Sequence, residues 1–325
     1  MAQILVTIDT EIGELGKNRT DAFEVFIEGK IDHREVGYKF IMDILEKYSI
    51  KGEFFVDIYP YKKIGEDKFT TLCQNIIQRG HNIQLHTHPS TGFDEKRIYM
   101  YQYSLEEQIE ILQLGKQKIK EWTGKNPIAH RAGGYGINEN TFKALERVGI
   151  QYDSSYFYGN ENCKLQCDVK NKPFKVSNVT EIPITVFEKT LNYNLFGINI
   201  SRRECFQKLD VRYGVTVDEI KKVVNNSSKN SIIMLFLHSF NFLHLPYNFR
   251  KRKYGKISID KEMIKQFEDL LSWISLQKKY DFVTFDKLKI DFSQEDSLVK
   301  ISRKENIMPK TYRSLKNRVL KTRES

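Results

Sequence analysis

Two histidines stand two residues apart in His86-Thr87-His88-Pro89, at the end of a run (81–88) whose apolar and β-branched content reads as a strand. Side chains alternate along a strand, so both imidazoles point to one face and can share a divalent metal. A first strand-like run, 3–10, leads into Asp9-Thr10-Glu11. Asp9 and Glu11 alternate in the same way, so one carboxylate can bind metal while the other accepts a proton. Two neutral imidazoles and a carboxylate form a cation site that keeps positions open for water and substrate. A run over 128–132 enters His130-Arg131-Ala132-Gly133-Gly134-Tyr135, where Arg131 can orient a carboxylate by a two-pronged hydrogen bond and the glycines let backbone approach a ligand. A further run, 151–155, ends in Asp153-Ser154-Ser155-Tyr156, and 231–239 carries Leu235-Phe236-Leu237-His238-Ser239. A histidine after so apolar a run has limited access to water and suits a general acid.

Such residues act together only if strands bring their ends to one place. The strand-like runs, 3–10, 52–59, 81–88, 128–132, 151–155, 180–187, 231–239 and 281–285, alternate with helical patterns such as Phe40, Ile41, Ile44, Leu45 and Tyr48, or Leu105, Ile109, Leu112 and Ile119. Ser104 with Glu107, and Thr216 with Glu219, form capping boxes that satisfy free amides at helix starts. Further helices are expected over 67–79, 138–148 and 260–278. This alternation is the pattern of βα units around a mostly parallel sheet. Seven or eight strands in about 290 residues suit a closed βα barrel, in which chemistry collects at the strand C-terminal ends. The stretches 157–179 and 190–215 read as long loops on the rim. One domain, 1–299, followed by a basic tail, 300–325, is the expected division.

The 325 residues are 40% hydrophobic and 29% charged, with 18 glycines and 7 prolines, which excludes collagen-like, low-complexity and integral membrane proteins. Four cysteines without a CxxC pair give no disulfide scaffold and read as buried thiols. With no basic and apolar leader before the first strand, the expected location is cytoplasmic. Nine Lys/Arg and two acidic residues in 300–325 supply +7 of the net charge of +10. That tail could touch an anionic membrane surface, but it offers no specific nucleic-acid readout.

In order and spacing, Thr7-Ile8-Asp9-Thr10-Glu11, His86-Thr87-His88-Pro89, Arg131-Ala132-Gly133-Gly134-Tyr135, Asp153-Ser154-Ser155-Tyr156 and Leu235-Phe236-Leu237-His238 resemble the five motifs of the polysaccharide deacetylase (NodB homology) family. Gly80-His81-Asn82-Ile83 and Glu181-Ile182-Pro183-Ile184-Thr185 resemble segments near its second and fourth motifs, and the likeness runs from residue 3 to about 288. It implies a distorted (β/α)7-type α/β barrel and metal-dependent hydrolysis of an acetyl amide, or an ester, on a sugar. On that resemblance Asp9 is the catalytic base, His86 and His88 bind metal, Arg131 holds Asp9 and His238 is the acid. Tyr135, Asp153 and Tyr156 form substrate-binding walls, and Leu237 lines the acetyl methyl site. Two departures mark a D-x-E and HxH variant: Thr10 stands where the family has a metal-binding Asp, so Glu11 is taken as the ligand, and the histidines are two residues apart rather than four. Zinc is the expected metal, with cobalt, manganese or nickel as alternatives.

Beyond His238, the segment from Phe240 through His244 and Tyr247 to Arg250, Lys251, Arg252, Lys253 and Lys256 could be a lid whose cations meet a phosphate. Cys163 and Cys167 lack the second pair a metal site needs, and His33 and His81 read as structural. The expected substrate is an acetylated sugar, nucleotide sugar or lipid-linked saccharide in surface polysaccharide or glycoconjugate assembly. A non-sugar amide or imide, or saccharide binding without catalysis, are the alternatives.

Overall fold

The computed structural model describes residues 1–195, 198–248 and 253–306. Its main sheet has nine strands. The strands that matter here are β1 (Ala2–Thr10), β2 (Glu53–Asp57), β3 (Asn82–Thr87), β4 (Ala129–Ala132), β5 (Tyr152–Asp153), β6 (Phe174–Val176) and β7 (Val179–Glu181). After these come β8 (Val186–Leu195), β9 (Ile198–Lys208), β10 (Ile232–His238), β11 (Tyr280–Phe282) and β12 (Lys300–Asn306). The main sheet runs in the order β10-β1-β2-β3-β4-β5-β7-β6, with β11 also pairing with the start of β1. All its pairings are parallel except β6 with β7. Parallel strands need crossovers, supplied by helices α1 (Tyr38–Lys47), α2 (Glu66–Gln78), α3 (Leu105–Thr123), α4 (Glu139–Val148), α5 (Val217–Asn226) and α6 (Lys261–Ser275).

The two faces of the sheet bury different things. Ile4, Val6, Ile8, Leu235 and Leu237 face the helices and join one core with Ile41, Leu45, Leu112 and Phe142. Their neighbours in alternation, Leu5, Phe55, Ala129, Met234 and Phe236, pack together inside the curl. A strand covered on both faces reads as continuous apolar sequence, which is why β1 and β10 are buried throughout. Each fully buried Leu or Ile contributes roughly 1.5–3 kcal/mol, so the outer core holds the strand ends in register. Both predicted capping boxes form, at Ser104 of α3 and Thr216 of α5.

The distorted α/β barrel expected from the sequence is present as a curled sheet, but the ladder does not close. β7 is three residues long, and the chain leaves it through 182–185 before β8 begins, so the run read as one strand over 180–187 is split. The outer edge of β10 therefore meets a side chain and a loop carbonyl: Met234 N–H donates to Thr185 Oγ1 (2.8 Å) and Phe236 N–H to the Leu209 carbonyl (3.1 Å). The loop expected over 190–215 is corrected as well. β8 and β9 pair antiparallel as a long hairpin, and β12 adds to β8 in parallel. Two β-rich segments side by side satisfy their own backbone groups, which a 26-residue irregular loop could not do. The first seven residues of the basic tail are thus a strand against the body, while 307–325 lie outside the described residues. Among the described residues no helix is long and apolar enough to cross a membrane.

Candidate metal and catalytic site

The strand C-terminal ends converge as predicted. Glu11, just beyond β1, meets His86 on β3 and His88 one residue past it, and all three are buried. Their ligand atoms lie within 4.8 Å of one another. Glu11 Oε2 is 3.1 Å from His86 Nε2 and in closer contact with His88 Nε2. The two rings sit 4.9 Å apart, as alternation along a strand requires. His86 Nδ1 lies 2.8 Å from the Arg131 carbonyl, which can only accept, so that nitrogen carries the proton and Nε2 turns its lone pair to the cluster. Thr10 faces away, its hydroxyl donating to the Ile8 carbonyl (3.3 Å).

Burial alone would raise the Glu11 carboxyl, but the two imidazoles hold it well below the usual carboxylate range. Burial opposes protonation of His88 too, yet Glu11 beside it pushes the imidazole up to about 9. The cluster thus takes a proton to balance a buried carboxylate, which is the balance a cation would supply. One carboxylate and two imidazoles, buried and converging, fit a divalent ion of the zinc type. Gly133 makes room for the second ligand: a Cβ there would come within 2.4 Å of the His88 ring.

Asp9 and Arg131 adjoin this cluster. Asp9 Oδ2 is 3.8 Å from His86 Nε2, while Oδ1 accepts from Arg131 Nη1 at 2.6 Å. Arg131 is fully buried, and all five of its N–H groups have a partner. Nε donates to the Ser154 carbonyl, Nη1 to Thr7 Oγ1 and Asp9, and Nη2 to Ser154 Oγ and Met234 Sδ. The guanidinium also lies 4.1 Å from the centre of the Phe55 ring. His238 closes the other side, with Nε2 3.9 Å from Glu11 Oε1 and Nδ1 3.8 Å from Asp210 Oδ2. Burial, reinforced by the nearby Lys208 cation, pushes the His238 imidazole down to about 4.

Of the other expected substrate-side residues, Asp153 and Tyr156 are held by protein partners and Leu237 turns to the core. Asp153 is fully buried and engaged by His130 Nδ1 (2.6 Å) and the Ser155 hydroxyl (3.0 Å), beside Glu181, whose carboxyl burial and Asp153 itself push well above the usual carboxylate range. The Tyr156 hydroxyl donates to the Cys167 carbonyl (2.6 Å), and its ring packs on Phe174. Leu237 is corrected outright: it lies between His238 and the inward Phe236, so alternation sends it to the helix-facing core. Phe236 takes its place, edge-on to the His238 ring at 5.0 Å. Tyr135 does face this region. It holds a left-handed backbone conformation (φ 63°), costly for an aromatic residue, and its hydroxyl is 2.8 Å from Lys208 Nζ.

Several site residues were not anticipated. Asp57 ends β2 inward, accepts from the Thr91 hydroxyl (3.3 Å), and is pushed up to about 6 by burial. Its parity with Phe55 was a usable signal. Asn241 accepts from His238 N–H (3.1 Å) and donates to Asp210 (3.1 Å). Lys208 and Asp210, 3.5 Å apart, arrive on the hairpin that the sequence reading took for a loop. Burial pushes the Lys208 amine down to about 8, with Asp210 opposing. His81 is structural as expected, accepting from Gly52 N–H (3.0 Å), and the four cysteines are free. Of the basic run proposed as a lid, 249–252 lie outside the described residues.

Residues 31–152 match the family model for polysaccharide deacetylase. Among curated proteins no sequence matches significantly. Of solved structures, a putative polysaccharide deacetylase from Mycobacterium smegmatis superposes with a TM-score of 0.56 at 14% identity, covering 91% of this chain and 95% of that one. Puue allantoinase gives 0.55 at 10% identity, covering 88% of each chain. The 4-alpha-glucanotransferase from Thermococcus litoralis gives 0.56 at 14% identity over 93% of this chain and 41% of that one. These likenesses establish the fold, and the match over 31–152, which spans the His86-Thr87-His88-Pro89 and Arg131–Tyr135 motifs, bears out the resemblance to the polysaccharide deacetylase family.

Proposed function

We propose that this protein is a metal-dependent hydrolase that removes an acetyl group from a sugar, acting in the cytoplasm on a precursor of surface polysaccharide or glycoconjugate. The observation that carries the reading is the buried Glu11–His86–His88 cluster flanked by a carboxylate–guanidinium pair, Asp9 and Arg131, on one side and by His238 on the other. Glu11, His86 and His88 would hold the ion, zinc first, with cobalt, manganese or nickel as substitutes. There a divalent ion would supply polarisation of a carbonyl and lower the pKa of water toward about 7.

The chain's own residues then divide the work. Asp9 takes the proton from water, and Arg131, anchored by Ser154, Thr7 and Met234, fixes the Asp9 carboxylate while leaving Oδ2 toward the cluster. His238 delivers a proton to the departing nitrogen, without which C–N cleavage stalls. The proton that His238 gives up is replaced by the one Asp9 takes from water, so the hydrolysis consumes no net proton. Asn241, bonded to the His238 amide and to Asp210, orients the strand end that carries the ring. Phe236 offers the acetyl methyl an apolar wall, and Tyr135 faces the sugar.

The test is elemental analysis of purified protein with assay of acetate released from acetylated sugars and nucleotide sugars after loading zinc, cobalt, manganese or nickel. About one ion per chain and metal-dependent acetate are expected, with Asp9→Asn keeping the ion but losing about three orders of magnitude in turnover. A chain that takes up no metal and releases no acetate is a saccharide-binding protein instead.

A further inference from the structure

At the same end of the sheet as the metal cluster, the loops after β1, β2 and β3 line a cleft of about 390 Å³. Its inner wall contains Ile12, which follows Glu11, and Thr91, whose hydroxyl donates to the His88 carbonyl (2.7 Å). Among the described residues, the charged side chains lining it, Lys17, Arg19, Lys63 and Lys68, are all cationic. Two are held from below by aromatic rings of the buried turn Phe23–Ile27: Arg19 sits 5.9 Å from the centre of Phe26, and Lys68 5.6 Å from Phe23. Their acidic partners stand outside the lining. Arg19 pairs with Asp21 (2.8 Å), Lys63 with Glu95 (2.6 Å) and Lys68 with Glu24, while Lys17 donates to the Glu95 carbonyl (3.1 Å). With cation side chains 35%, 57% and 44% exposed, these three ion pairs are solvent-screened and weak, so an entering anion can re-partner the cations at small cost.

The geometry points to an anion subsite: the sugar processed at the adjoining centre carries a phosphate or carboxylate that this cavity receives. Four cations lining one cleft beside an apolar wall of Ile12 and Pro60 suit a charged group attached to a sugar ring better than a neutral polymer, for which positive charge offers little. The arrangement rests on the deacetylase reading for the chemistry at the adjoining centre, but the charge preference can be measured without turnover.

The experiment is isothermal titration of the full chain with glucose 1-phosphate, glucuronate and methyl glucoside, none of which carries an acetyl group to lose. At about 50 mM salt, at least one anionic sugar should bind tenfold or more tighter than the methyl glucoside, and the advantage should fall at 0.5 M salt through screening. A stronger phosphate arm assigns phosphorylated sugars, and a stronger carboxylate arm assigns uronates. Lys63→Gln with Lys68→Gln should remove the preference, whereas Lys278→Gln, at the strand-starting end, should leave it intact. If the paired substitution lowers the melting temperature, Lys17→Gln with Arg19→Gln serves instead. Equal affinity for charged and neutral sugars, or a preference that survives both pairs, overturns the inference. Preference without acetate release from any acetylated sugar sinks the deacetylase reading alone, whereas acetate release without preference sinks the subsite alone.

Discussion

Replacing Arg131 by Met should unfold the strand ends before it says anything about turnover. The guanidinium is fully buried and has five hydrogen bonds, so its loss leaves the Asp9 carboxylate and the Ser154 carbonyl without their charged donor in a buried site. At an effective dielectric of 20, two unit charges about 4 Å apart attract by about 4 kcal/mol, and breaking a buried pair from one side costs about 3–5 kcal/mol. Urea unfolding of Arg131→Met should therefore show a loss of about 3–5 kcal/mol, or roughly 6–10 °C at about 2 °C per kcal/mol. Asp9→Asn should cost a comparable amount from the other side. The double variant should cost clearly less than the sum, with a coupling of about 2 kcal/mol or more, because removing both charges leaves neither stranded. A coupling below about 1 kcal/mol would refute the view that Arg131 exists to position Asp9.

The metal prediction is that His86→Ala and His88→Ala each lose the divalent ion seen by elemental analysis; retention in either would move a ligand elsewhere. Phe236→Ala should impair turnover of acetylated sugars, whereas Leu237→Ala should cost about 2–5 kcal/mol of stability with the KM unchanged, and the reverse pattern would put Leu237 back in the acetyl site. Glu53 gives a pH signature away from the chemistry: burial pushes its carboxyl up to about 7, despite donors from Gln84, Asn82 and the Phe285 amide. A raised carboxyl favours the folded chain while it stays protonated, so the contribution is complete below about pH 4.5 and lost as pH rises through about 7, a fall of about 3 kcal/mol. Glu53→Gln should flatten chemical-denaturation stability across that window, and an unchanged slope would assign the pH dependence to other groups.

The strand ends were legible because periodicity and chemistry agreed there. Alternation and strand-end position brought His86 and His88 together with the Asp9/Glu11 pair and left open which carboxylate joins them, while Asp57 could have been added, since it shares parity with Phe55. The hairpin of β8 and β9 was not legible, because its strands satisfy each other rather than the main sheet and their polar residues imitate a loop. Everything the hairpin delivers, Lys208 and Asp210 above all, was lost with it. Leu237 was misplaced for a different reason: the motif gives a position next to the acid, but only the register, His238 opposite Asp9 and Leu237 opposite Ile8, says which face it takes.

If Glu11, His86 and His88 hold the ion, the two departures from the pattern that the resemblance implies share one geometry. A ligand at Thr10 would point with Ile8 toward the helices, since its hydroxyl already bonds the Ile8 carbonyl, whereas Glu11 lies beyond the end of β1, where its longer side chain returns to the inner face. A carboxylate reaching in from there meets strand β3 at its end, where His86 and His88, two residues apart and on one face, both contact it. The glycine at 133 follows from the same placement, because the second imidazole occupies the space a side chain there would fill. Gly133→Ala should therefore displace His88 and weaken metal binding while leaving His86 in place. A variant that binds metal with unchanged affinity would show that the shortened spacing and the displaced carboxylate are independent accidents of sequence.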